Sequence, residues 1–193
     1  MMKKKLKIGD RSSIRSATLF GLETYLRKHI NDNPDDNFHV KTFAWGREGF
    51  GQDEGLGKVI SFIEPPKPVD IPKFPDDSNV RQYEWVIYIQ GMLPDNSEIP
   101  TYPSYEMVNE IKRILYSLIE ANTGMNAVNN ILNLGPKAQR DRGMTCNVFE
   151  LKIGAETVRG PGEHSAFAFF WLPIHIGIVE DLKNPWVQIQ DPL

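Results

Sequence analysis

Asp95, Glu150 and Lys152 are the residues whose types could do chemistry together. Pro94-Asp95 closes one strongly apolar stretch, and Glu150-Leu151-Lys152 lies within another. Two carboxylates and a lysine can hold Mg²⁺ and orient a water for attack on a phosphodiester. The same residues have a plainer reading. Pro-Asp-Asn is an ordinary turn, and Glu-x-Lys is common on an exposed strand face. The segment Gly49-Phe50-Gly51 to Gly55-Leu56-Gly57-Lys58 invites a phosphate-binding reading, but five residues separate Gly51 from Gly57 where four are required. Val59 also stands where Ser or Thr belongs. A strand rather than a helix N-terminus is expected after it, and Asp53 and Glu54 would repel phosphate. The loop reads as the tip of a long hairpin. His29, His39, His164 and His175 have no partners at metal-ligand spacing, and the single cysteine, Cys146, cannot complete a zinc site. Ser165 beside His164 lacks the Gly-x-Ser-x-Gly setting of a nucleophile elbow. The sequence therefore predicts no catalytic residues, no cofactor and no metal.

The elements that would position these residues follow from periodicity. Leu19, Leu22, Leu26 and Ile30 share one face of a helix expected from about 13 to 30, stopped by Asn31-Asp32-Asn33-Pro34. Strands are expected at 38–45 and 58–63. Glu64-Pro65-Pro66-Lys67-Pro68 then reads as an extended connection, since proline supplies no ladder donor. Tyr83 to Leu93 is apolar on both faces, as a central strand is. Ser104 is the expected N-cap of a helix running to Ala121, with Glu106 in its first turn and Val108, Ile111, Leu115 and Leu118 in one stripe. Gly124 is the expected C-cap, and a short helix is expected over 126–134. Strands follow at 147–153, 157–159 and 165–179. In the last of these Phe167, Phe169 and Trp171 point one way and Ala168, Phe170 and Leu172 the other, with a bend or bulge at Pro173. The expected fold class is α/β (α+β): a mostly antiparallel β-sheet packed with two main helices, a long hairpin loop and an extended C-terminal tail.

The chain has 193 residues, 40% hydrophobic and 24% charged, with a formal net charge of -3. That is ordinary globular composition and suits one sizeable domain. The expected organisation is a flexible basic arm at 1–10, a single α/β domain at 11–180, and an extended tail at 181–193. The lysines at 3, 4, 5 and 7 precede a polar stretch rather than an apolar one, so no secretory signal and no membrane anchor is expected. A lone cysteine makes no internal disulfide, which fits assembly in the cytoplasm.

Two resemblances attach to these features. Asp95 with Glu150 and Lys152 resembles the PD-(D/E)xK nuclease pattern, with an unusually large separation between its halves. The order of elements resembles the tail-terminator, or tail-completion, proteins of long-tailed bacteriophages. The matching pieces are Ser-Ala-Thr-Leu-Phe at 16–20, Tyr-Glu-Trp-Val-Ile-Tyr-Ile at 83–89, Tyr-Pro-Ser-Tyr-Glu at 102–106, and Arg159-Gly160-Pro161-Gly162 before Ser165-Ala166-Phe167. This second resemblance spans about two-thirds of the chain in pattern. It implies a non-enzymatic virion protein of the neck and tail, assembled in the host cytoplasm as a homo-oligomeric, six-fold ring. Such a ring caps the tail tube and meets the head–tail connector. Another neck or connector component is the nearest alternative. DNA would pass through the lumen without specific binding, which the acidic net charge suits. Large residues on the hairpin (Phe43, Trp45, Phe50) and in the tail (Trp186, Ile189) are the expected subunit-interface residues, because aromatic anchors dominate interface energies.

Overall fold

The computed structural model describes residues 6–40, 42–45, 58–64, 70–72, 80–95, 98–123, 148–161 and 166–189. Its centre is one pair of strands, β5 (Val80–Pro94) and β8 (Phe167–Asp181), each 15 residues long and antiparallel along their whole length. Short strands line both outer edges in tandem. β3 (Val59–Ile63) and β4 (Asp70–Pro72) pair with successive parts of β5, while β6 (Val148–Ile153) and β7 (Thr157–Arg159) pair with successive parts of β8. β2 (Thr42–Trp45) adds to β3. The result is a mostly antiparallel seven-stranded sheet in an α+β fold, as expected.

The helices α1 (Ile14–Asn31) and α2 (Tyr102–Thr123) bury their apolar stripes against one face of this sheet. Tyr83, Trp85, Ile87 and Ile89 of β5 and Phe170, Leu172, Ile174 and Ile176 of β8 meet Leu22, Leu26, Ile30, Val108, Ile111 and Leu115 of the helices. The stripe of α1 runs through Ile14, Leu22, Leu26 and Ile30, and Leu19 lies at its border, only partly buried. Ser13 caps α1, its hydroxyl accepting from the Ser16 N–H at 3.2 Å.

Several expectations change. The strand expected at 38–45 begins only at Thr42. Asp35 accepts from the Asn37 N–H and opens a 3-10 turn over Asp36–Phe38, and the Asn31 amide holds both the N–H and the C=O of Val40. β2 lies parallel to β3, so the two do not form a hairpin; residues 46–57 between them, including Phe50, fall outside the described residues. So do Gly124, the helix expected at 126–134, and Cys146.

β8 runs through Pro173 with no break in its register to β5. The Pro173 carbonyl accepts from the Gly154 N–H at 2.8 Å, so the missing proline donor faces the gap between β6 and β7, where no ladder partner is required. Gly154 is needed there, since a Cβ would stand 2.7 Å from Pro173 Cγ. The bulge lies instead in β6, between Val148 and Glu150.

The expected extended tail is partly a strand. β9 (Trp186–Gln188) pairs antiparallel with β1 (Arg11–Ser13), and Val187 and Ile189 join the core of their own chain. The preceding arm is held there too: the Gly9 N–H donates to Ile189 O at 2.8 Å and the Ile189 N–H to Asp10 O at 2.9 Å.

At the C-terminal end of α1, Glu110 of α2 is buried and takes hydrogen bonds from Arg113 and, at 2.8 Å, from Asn33. Those hydrogen bonds, the Arg113 one foremost, hold its carboxyl below the usual range. Burial foremost, with Lys28 beside it, also lowers His29, whose ring lies 4.2 Å from that of Tyr25. Both groups have depressed folded-state values, so their stabilising effect is present at neutral pH and lost on acidification. His29 acts first, as pH falls below its ordinary 6.5, and Glu110 follows below 4.5. Thermal melts across pH 7 to 2 are expected to fall in these two stages, and His29→Gln is expected to flatten the upper one.

A second prediction concerns Gly91 on the core face of β5. A Cβ there would lie 1.9 Å from the ring of fully buried Phe170. Gly91→Ala is expected to cost about 1–3 kcal/mol by overpacking. Denaturant melts should show Phe170→Leu costing less in the Gly91→Ala background than alone.

Candidate functional site

The residues nominated for metal chemistry do not converge. The Asp95 N–H donates to Ala166 O at one end of the central ladder, whereas Glu150 pairs opposite Gly177 near the other. From Ala166 to Gly177 is eleven steps along β8, about 35 Å at a strand rise of ~3.3 Å. Asp95 is buried, and its carboxylate accepts the Thr101 N–H at 2.7 Å. Thr101 has φ +77° and its carbonyl accepts the N–H groups of Ser104 and Tyr105, which places it as the residue that opens α2. Ser104, the expected cap, instead lies inside the first turn, buried, with no hydrogen-bond partner for its hydroxyl among the described residues. Glu106 correspondingly falls in the second turn.

Glu150 and Lys152 stand on the sheet face turned away from the helices, 2.8 Å apart. The Glu150 hydrogen bond raises the Lys152 ammonium above its ordinary value and keeps it charged. Lys152 lies opposite His175, whose Nδ1 is 2.6 Å from Glu84 Oε1. No group of three or more His, Cys, Asp or Glu among the described residues is arranged to hold a metal ion.

Elsewhere this outer face carries Ser61, Gln90, Thr157 and Arg159 around a group of large apolar side chains. Phe167, Phe169, Trp171 and Pro173 of β8 and Tyr88 of β5 project there and stay half-buried, and the rings of Phe169 and Trp171 stack at 6.2 Å. Strand alternation makes this unavoidable: Ala168, Phe170, Leu172 and Ile174 fill the helix side, so their neighbours must face the other way.

The residues nominated for subunit contacts divide. Phe43 and Trp45 project from β2 to the helix side and pack against the core. The Arg27 guanidinium sits 4.7 Å over the Phe43 ring, and Trp45 Nε1 donates to Glu23. Ile189 is 1% exposed and is used up inside its own chain, because the strand direction of β9 turns Val187 and Ile189 inward. Trp186, on the alternate side, remains 51% exposed. Ile99, Tyr102, Tyr105, Tyr116 and Leu182 are also large, apolar and exposed. The sequence signal for two of them was present in Tyr102-Pro103-Ser104-Tyr105, where residues three apart must share a helix face.

The candidate site these features define is a set of surfaces on an α+β scaffold. The chain matches no known family model, and a comparison with curated proteins finds no match. No helix among the described residues is long and apolar enough to cross a membrane.

The role of Asp95 is open to direct measurement. Asp95→Ala leaves the Thr101 N–H without its acceptor and is expected to cost about 1–3 kcal/mol in denaturant melts. Asp95→Asn keeps an acceptor oxygen and should cost less. Equal, negligible losses would show that the carboxylate does not hold the start of α2.

Proposed function

We propose that this chain is a structural subunit that assembles with copies of itself, and that its role is that of a ring-forming phage tail terminator. The observation that carries the reading is the second face of the sheet. A two-layer α+β domain has one sheet face to cover, and α1 and α2 cover it. The opposite face nonetheless carries Tyr88, Phe167, Phe169 and Trp171, side chains of the kind that protein–protein interfaces concentrate. The element order that resembles the tail-terminator proteins adds to it: an opening helix, strands, a helix directly after the longest of them, and a closing set of strands. In this role the assembled ring caps a tail tube and faces a connector, and DNA passes through its lumen. The wide sheet supplies a rigid wall, and chemistry is not required of it.

Negative-stain imaging of the purified full chain, alone and with tail-tube protein, tests this. Closed rings, six-fold, are expected, seated at tube ends when tubes are present. Single particles of subunit size in both samples would overturn the assembly, and rings that ignore the tube would overturn the terminator role. Because Val187 and Ile189 belong to the subunit's own core, point changes on the surface are the right perturbation, rather than removal of the tail.

A further inference from the structure

Most of the exposed large apolar residues of the described chain fall into two groups, and these lie at opposite ends of the β5·β8 ladder. At the end where Pro94 pairs with Phe167, the turn into α2 displays Ile99, 67% exposed, with Tyr102 and Tyr105 beside it. At the end where Val80 pairs with Asp181, the turn from β8 into β9 displays Leu182 and Trp186. Fourteen steps of ladder separate the ends, about 45 Å at ~3.3 Å per residue.

The two groups differ in charge: the first is flanked by acids, and the second holds two exposed cations among acids. Glu98 adjoins Ile99, and Glu106 stands four residues after Tyr102 on the same helix face; neither makes an ion pair among the described residues. Arg159, at the end of β7, alternates to the far side of the sheet, opposite Phe169. At the other end, Arg11 shares the outward side of the β1·β9 pair with Trp186, and Lys183 follows Leu182. Arg11 donates to Asn184 Oδ1 at 3.4 Å, and neither cation is in an ion pair among the described residues. Asp181 and Glu180 lie close by and keep their charge, since their donors are neutral: Asp181 accepts the Lys183 backbone N–H at 2.9 Å, and Glu180 lies 3.5 Å from the Tyr83 hydroxyl.

We infer that copies of this chain associate head to tail, with the Leu182–Trp186 surface of one docking on the Ile99–Tyr102–Tyr105 surface of the next. The inference specifies the contact for the assembly proposed above and rests on that reading. A two-fold contact of the Ile99–Tyr102–Tyr105 surface with itself would set Glu98 and Glu106 against their copies, which costs binding energy. A contact between the two different surfaces sets Arg11 and Lys183 against Glu98 and Glu106, with tryptophan and tyrosines as the desolvated anchors. Each subunit then keeps one free surface of each kind, so association propagates and ends only by closing into a ring.

The test uses two full-length variants and sedimentation analysis. Trp186→Ala with Lys183→Glu disables one surface, and Tyr102→Ala with Glu106→Lys the other. Each alone is expected to be monomeric, its association weakened by roughly thirtyfold or more, as loss of a hot spot implies. Mixed in equal amounts they are expected to form a one-to-one dimer and nothing larger, because each retains the surface the other lacks. A chain carrying only Lys183→Glu and Glu106→Lys, with both signs reversed, is expected to regain self-association that either reversal alone abolishes. Circular dichroism melts confirm that the variants fold. If the variants assemble like the unmodified chain, or if the mixture stays monomeric while the unmodified chain forms rings, the contact is overturned and the ring reading stands. If the unmodified chain itself stays monomeric at all concentrations, both fall together.

Discussion

The antiparallel register between β5 and β8 is the constraint on which the remaining structure depends. Fifteen residues of each strand face each other without a slip, and every flanking strand of the sheet except β2 takes its own register from one of these two. A one-residue slip would turn Phe170, Leu172, Ile174 and Ile176 away from the helices and bring Phe169, Trp171 and His175 toward them. The close seat of the Phe170 ring over Gly91 opposes such a slip, because only a residue without a Cβ can lie beneath it. The ladder also sets how far apart its two ends stand, and hence how the surfaces at those ends face neighbouring molecules.

Much of this frame was legible in the sequence because it is periodic. The alternation of Phe167 to Ile178 and the stripe Val108, Ile111, Leu115 and Leu118 are repeats that strands and helices produce and that turns do not. Features that depend on a distant partner were not legible. Pro173 reads as a break until Gly154 and the gap between β6 and β7 are in view. β1, β4 and β9 are three residues each, too short to show a period, and exist because a neighbour pairs with them. Ser104 looks like a cap by residue type, yet Asp95 and Thr101 do that work from outside the helix. Of the interface candidates, Trp186 and Ile189 look alike in sequence, and only their opposite sides of β9 separate an exposed residue from a core one.

Asp95 illustrates how one residue type admits two readings. A buried carboxylate at the end of a central strand is a common place for a metal ligand. Here it meets a backbone N–H of a residue held at positive φ, an arrangement that fixes the direction in which α2 leaves the sheet. That direction sets where Ile99, Tyr102 and Tyr105 are displayed. A residue that resembles catalytic machinery thereby shapes an exposed apolar surface.

The pairing of β1 with β9 has a consequence for how the chain comes to be folded. Residues 11–13 are made long before their partners at 186–188, which follow every other strand of the described chain. At translation rates of about 5–20 residues per second, the opening segment waits on the order of ten seconds for its neighbour. Throughout that interval α1 lacks the Val187 and Ile189 contacts that complete its core. The apolar corner built from Arg11, Leu182 and Trp186 therefore comes into being only after the strands and helices between have been made. A growing chain is denied that surface until the central ladder and both helices are in place.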